Sequence, residues 1–258
     1  MIGFLAFLGF IFGIMSALLG IGGGVFFIPV FSFLFPHMTQ QEIIPQSLFF
    51  IFLTCTYASI RFFKIPQVRK DFRLPMILTI CVGIFLGSQG GRLGMQYISS
   101  HKVKIIFAYV LLLLAFWSVI QIIFWKHFQK KIIQPPSEFL PPKILPSFIL
   151  GLCAGIVSSL TGLGGGIILM PVFTLLWNYP LMRASFFSNL CIACSGFSNT
   201  LINLSNNTTL LYTDIFLVFS GCLIGVPVGI RLTDRLSKKF ILWIQSILYL
   251  ILAIKSFL

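Results

Sequence analysis

Long apolar runs separated by short polar stretches set the plan of this chain. Residues 2–19 carry no charge and predict a first helix that is apolar on every side, the pattern of a helix surrounded by lipid or protein. A glycine cluster follows. Residues 25–35 then leave room for only about eleven helical residues, about 16 Å at the α-helical rise. That is half of a ~30 Å hydrocarbon layer. Further helices are predicted at about 43–60, 74–91 and 103–125. After the stretch 126–143 the series restarts, with helices at about 144–161, 181–203, 210–230 and 239–257 and a short segment at 167–177.

The second series is a copy of the first. Gly13-Ile14-Met15-Ser16-Ala17-Leu18-Leu19-Gly20-Ile21-Gly22-Gly23-Gly24 reappears 142 positions later as Gly155-Ile156-Val157-Ser158-Ser159-Leu160-Thr161-Gly162-Leu163-Gly164-Gly165-Gly166. Pro29 and Pro171 stand five residues beyond the last glycine of each cluster. Internal repetition governs the reading of every other feature. The first repeat is assigned to 1–125 and the second to 144–258. The linker 126–143 between them holds Pro135-Pro136 and Pro141-Pro142, pairs that stop helices and stiffen a connection.

Composition narrows the class. Hydrophobic residues make up 58% of the 258 and charged residues only 9%, with a mean hydropathy of +1.03. Soluble domains carry about 25% charge, so this is an all-α integral membrane protein. A transmembrane barrel would need alternating strands, and the sequence has none. The net charge of +13 gathers in short loops, as the positive-inside rule requires, and not in a basic domain that would bind nucleic acid. Met1-Ile2-Gly3-Phe4 lacks a basic n-region, so the first helix reads as retained. The six cysteines lie in apolar spans and imply no disulfide framework.

Loop charge relates the two copies. The loop 61–73 carries Arg61, Lys64, Arg69, Lys70 and Arg73, whereas its counterpart 203–214 has no basic residue. The two loops therefore face opposite compartments. Each copy then has an odd number of crossings, and the fold is two inverted-topology repeats, each a Gly-broken helical hairpin plus three transmembrane helices. Both termini are placed outside, and loops 61–73, 126–143 and 231–239 inside. The loop 92–104 conflicts with this, because it should lie outside yet carries Arg92, Lys102 and Lys104.

Gly-interrupted apolar segments at matching places in two halves point to a transporter's binding site. Irregular backbone at membrane depth survives only inside protein or along a wet cavity. Glycines can take positive φ and turn successive amides into one space. The short helix after each cluster adds unpaired donors and a partial positive charge. Two such ends meeting would hold an anion without a buried cation. Pro29 and Pro171 would leave the carbonyls of Val25 and Ile167 without helical donors. Ser16 and Ser158 match one turn before the clusters, Thr161 is particular to the second copy, and Gln46-Ser47 and Ser188-Asn189 match at the 142-residue offset. Their hydroxyl and amide donors suit a tetrahedral or pyramidal oxyanion. Close helix packing through glycine and interhelical hydrogen bonds are the plainer alternatives.

The paired GxGGGxxxxP segments, the chain length and the two-copy plan resemble the sulfite exporter TauE/SafE family of membrane permeases. The resemblance covers essentially the whole chain. It implies secondary transport, with export the expected direction, of sulfite or organosulfonates across a bacterial inner membrane. It carries over to Gly20, Gly22, Gly23, Gly24 and Pro29, and to Gly162, Gly164, Gly165, Gly166 and Pro171, as substrate-binding positions. Gln46-Ser47 and Ser188-Asn189 stand where a Thr-Ser pair would be expected. A passive anion channel and a non-transporting membrane assembly partner remain the alternatives.

Other chemistry is thin. Cys191-Ile192-Ala193-Cys194 puts two thiols on one helix face, a redox or soft-metal possibility. His37, His101 and His127 are too far apart in sequence to suggest a cluster. Glu42, Asp71, Glu138, Asp214 and Asp234 lie at or beyond span ends, so no intramembrane carboxylate offers itself as proton carrier. Coupling to a proton or cation would run through the substrate's own protonation, or the protein is a uniporter. The glycine clusters match neither a P-loop nor a dinucleotide fingerprint. No catalytic residue, metal ligand or cofactor is expected.

Overall fold

The computed structural model describes residues 2–69, 74–97, 100–123, 144–177, 179–205, 210–236 and 238–257. The linker 126–143, the polar turn 206–209 and residues 70–73 of the basic loop lie outside the described residues. The described elements are helical. In the first copy they are α1 (Ile2–Leu19), α2 (Gly24–Leu34), α3 (Gln40–Phe63), the single turn α4 (Pro66–Arg69), α5 (Leu74–Gln96) and α6 (Ser100–Ile123). In the second they are α7 (Ile144–Thr161), α8 (Gly166–Pro171), α9 (Leu181–Ser205), α10 (Tyr212–Arg235) and α11 (Lys238–Phe257). Helix α8 passes into a π-helical turn, Val172–Leu176.

Five described helices are long and apolar enough to cross a membrane: α1, α3, α5, α7 and α10. Helix α9, with 25 residues, fails on composition because its serines and asparagines face inward. Helix α3 starts three residues before the sequence expectation. Thr39 at its N-cap and Glu42 form a capping box, with the Thr39 amide 2.7 Å from Glu42 Oε2, and this satisfies end donors that would otherwise fray the first turn.

The two copies interlock. Helix α1 packs most extensively on α10, and α7 on α5, so each copy lends its first helix to the other. Helices α3 and α9 meet at the centre, and α6 packs on α11. Exchanging the copies maps these pairings onto one another. Glycine permits the exchange. A methyl group on Gly83, Gly87 or Gly91 of α5 would stand 2.4, 2.2 and 2.7 Å from the carbonyl oxygens of Phe148, Leu152 and Ile156. On α10, Gly221, Gly225 and Gly229 meet Ala6, Phe10 and Ile14 at 1.9, 2.2 and 2.5 Å. Lipid tails are as apolar as leucine, so close backbone contact through small residues is what joins such helices.

These contacts also give the register. The first helices correspond at an offset of 142, whereas α5 and α10 correspond at 138, as Gly83 and Gly221 show. Helices α3 and α9 correspond at 141, since Ser47 Oγ donates to the Gly162 carbonyl and Ser188 Oγ to the Gly20 carbonyl, the same turn in each copy. The pairing of Gln46 with Ser188 and of Ser47 with Asn189 is therefore off by one residue. Ser47 corresponds to Ser188.

Candidate functional site

Helix α1 ends where Gly20 adopts φ +61°, and α7 where Gly162 adopts φ +71°. Each glycine amide still donates back to a serine carbonyl, Ser16 at 3.0 Å and Ser158 at 2.8 Å. The left-handed turn that follows is strained for any residue with a Cβ. Gly22 and Gly164 repeat the turn at +79° and +77°. The copies then part: Gly165 is left-handed at +72°, whereas Gly23 is right-handed at −74°.

The clusters touch. A methyl group on Gly24 would stand 2.8 Å from the Gly162 carbonyl oxygen, and one on Gly166 would stand 2.8 Å from Ile21 Cα. Two hydrogen bonds cross between the copies here. Ser47 Oγ donates to the Gly162 carbonyl at 2.8 Å, and Ser188 Oγ donates to the Gly20 carbonyl. All four residues are buried. With those two carbonyls engaged by serine, the turns still hold backbone groups of both kinds without a recorded partner, among them the carbonyls of Ile21, Gly22, Leu163 and Gly164. The amides of Gly22, Gly23 and Gly24, and of Gly164, Gly165 and Gly166, donate to no described acceptor. Buried amides without acceptors cost free energy and favour an anion.

Two side chains absent from the sequence expectation fill the junction. Ile51 of α3 and Ile192 of α9 both lie against Gly22 and Gly164, and their Cδ1 atoms crowd Gly24 and Gly166 respectively. They correspond at the 141 offset, and both are buried. Ser185 also lies beside Gly20, with a buried hydroxyl that finds no partner. An apolar residue one turn beyond a polar pair carries no signal in sequence; only the register exposes its position.

The other expected residues divide. Pro29 is buried inside α2, which runs through it unbroken. Pro171 closes α8, and Val172 N bonds to the carbonyls of Ile168 and Leu169 before the π turn. Gln46 is buried, and its Oε1 accepts the Leu211 amide at 2.9 Å, at the start of α10. Asn189 Nδ2 donates to the Ser185 carbonyl of its own helix at 2.8 Å, and its Oδ1 finds no partner. Thr161 Oγ1 accepts the Leu163 amide at 3.4 Å, closing the second cluster. Cys194 Sγ lies 3.1 Å from Cys81 Sγ, beyond the ~2.05 Å of a disulfide. Among the described residues no group of three or more His, Cys, Asp or Glu is placed to hold a metal ion.

The family model "Sulfite exporter TauE/SafE" matches residues 5–256. The chain belongs to this family. A protein of Methanocaldococcus jannaschii named "Probable membrane transporter protein" is 26% identical, over 95% of this chain and 91% of that one. A Bacillus subtilis protein also named "Probable membrane transporter protein" is 23% identical, over 96% of this chain and 94% of that one. The Arabidopsis thaliana "Sulfite exporter TauE/SafE family protein 1" is 28% identical over 48% of this chain and 29% of its own length. No solved structure matches the chain. The protein is thus a multi-pass membrane protein of a transporter family.

Proposed function

We propose that the chain is a secondary transporter of small sulfur-containing anions such as sulfite or organosulfonates, which bind where the two glycine clusters meet. The observation that carries this reading is the set of six buried glycine amides, three from each copy, that lack acceptors. A sulfite or sulfonate group offers three oxygens, each able to accept more than one such bond. Backbone donors fixed by glycine also need little reorganisation when charge arrives. A full cation there would hold the anion in a low-dielectric site too strongly for release. Family membership supports a transported substrate; the sulfur oxyanion follows from the donor geometry and from the family's name.

Ile51 and Ile192 fill the junction, so an anion reaches the amides only when these side chains move. That favours alternating access over an open channel. The inverted arrangement of the copies is part of the reading, with the midplane site at their interface. Arg92, one of three cations that conflicted with it, is bonded inward to Asn203 and leaves the loop charge. The proposed direction is export, across a bacterial inner membrane.

The test is uptake of radiolabelled sulfite and of methanesulfonate into protein-containing vesicles, with and without a pH gradient. Saturable flux, blocked by an alanine at Gly164, is expected. Non-saturating current would favour a channel, and absence of both flux and anion-dependent thermal stabilisation would favour an assembly partner.

A further inference from the structure

Beyond the glycine junction, the side of the bundle built from α5, α7 and α9 buries a longer run of polar side chains than the side built from α10, α1 and α3. On α9, Ser195 Oγ donates to Ser158 Oγ, and Asn199 Nδ2 donates to the Ser195 carbonyl at 2.9 Å. On α7, Ser159 Oγ lies 3.0 Å from Asn199 Oδ1 and 2.8 Å from the Ser88 carbonyl of α5. One helical turn along α5 from Ser88, the Arg92 guanidinium donates to Asn203 Oδ1. Arg92 is half-buried within a membrane-spanning helix, and Ser88 and Asn203 are fully buried.

Ser159 Oγ has one proton to give and lies within reach of the Ser88 carbonyl, the Gly155 carbonyl and Asn199 Oδ1. Closer to Arg92, Asn203 Oδ1 accepts from the guanidinium. What remains around Arg92 is donor capacity. Ser88 Oγ and Asn203 Nδ2 are buried without a partner, and the guanidinium has five N–H groups, of which one bond is recorded. Among the described residues no carboxylate pairs with Arg92. A charged side chain inside a span is costly and marks an ion path or a paired site; a surplus of donors around a lone cation selects an anion.

On the α1, α3 and α10 side, Ser158 and Ser195 correspond to the polar Ser16 and Thr54, and the remaining places are apolar. At the offsets given above, Ser88 corresponds to Val226, Arg92 to Ile230, Ser159 to Ala17, Asn199 to Ala58 and Asn203 to Phe62. Val226, Ala17, Ala58 and Phe62 are fully buried. The fold does not need polar groups at these positions.

We infer that Arg92, Ser88 and Asn203 form a second oxyanion site, on one side of the bundle only, for a free sulfate- or sulfonate-like anion. It lies about four helical turns along α9 from Ser188, about 22 Å at the α-helical rise, and so cannot be part of the glycine junction. It shares that junction's ligand class but does not require that the junction transport anything.

The test is site-resolved labelling of full-length protein in detergent. Phenylglyoxal modifies accessible guanidinium groups, and peptide mass spectrometry reports Arg92 and the exposed Arg231 separately. Sulfate and methanesulfonate are the probes, because sulfite would consume the reagent. Chloride at matched ionic strength controls for screening. Sulfate should slow labelling of Arg92 saturably and leave Arg231 at its chloride rate. Ser88→Ala should raise the half-protecting concentration by several-fold, and Asn203→Leu by about tenfold or more. Equal slowing of Arg92 and Arg231, or protection by phosphatidylglycerol micelles but not by sulfate, would overturn the proposal. So would unchanged protection in Ser88→Ala. Protection at Arg92 in protein that moves no anion would leave this site standing while removing the transport reading.

Discussion

The two copies agree where they hold the backbone and differ along one polar face of the bundle. Glycine stripes at Gly83, Gly87 and Gly91 and at Gly221, Gly225 and Gly229 make the same contacts with α7 and α1. Ser47 and Ser188 bond reciprocally to Gly162 and Gly20. Against this shared frame, Gly23 and Gly165 differ in hand, and α8 gives way to a π turn where α2 continues. Ser88, Arg92, Ser159, Asn199 and Asn203 have apolar counterparts.

The largest effect should come from breaking what the copies share. Gly221→Ala and Gly87→Ala each drive a methyl into a carbonyl of the facing helix, at 1.9 and 2.2 Å. Overpacking against rigid backbone should cost ~3 kcal/mol or more, with the two variants alike, read as thermal unfolding in detergent. If either variant unfolds like wild type, the exchanged packing is wrong.

A difference between the copies is sharpened by Gly165→Ala against Gly23→Ala. The first meets the left-handed penalty, about 1–2 kcal/mol, and the Ala154 carbonyl at 2.5 Å. The second meets the Phe50 ring edge at 2.7 Å, which can shift, from an ordinary φ of −74°. Gly165→Ala should therefore be the less stable by ~1–2 kcal/mol, and equal losses would erase the asymmetry. Ser47→Ala and Ser188→Ala remove matching bonds and should each cost about 1 kcal/mol, within a few tenths of one another. Smallest is Gly90→Ala, on the exposed face of α5 with nothing within 4 Å. It should be neutral or gain up to ~1 kcal/mol from helix propensity.

Much of this was legible in the sequence because lipid imposes simple rules. Uncharged runs bounded by glycine or proline fixed α1 and α7 to the residue, 2–19 and 144–161. The duplicated glycine clusters announced a backbone break in each copy. Less was legible where side-chain partners decide. Gln46 accepts the Leu211 amide at the start of α10, a partner that no spacing in the sequence announces. The one-residue slip between Ser47 and Ser188 followed from extending the 142 offset past the connection that follows α2, where lengths are free to change. Three glycines spaced by four on α5 and α10 were visible in the sequence at an offset of 138; that spacing could have given the interlocked packing.

The most direct measurement is the concentration dependence of radiolabelled sulfite uptake into vesicles carrying wild-type protein, Gly164→Ala or Gly90→Ala, with folded protein confirmed by size-exclusion profile. The methyl at Gly164 would enter a left-handed turn at φ +77° and press on Ile192 Cγ2 at 2.6 Å, at the point where the clusters meet. Saturable uptake in wild type and Gly90→Ala, lost in folded Gly164→Ala, is the predicted result. Wild-type uptake by folded Gly164→Ala would contradict an anion site at the glycine junction.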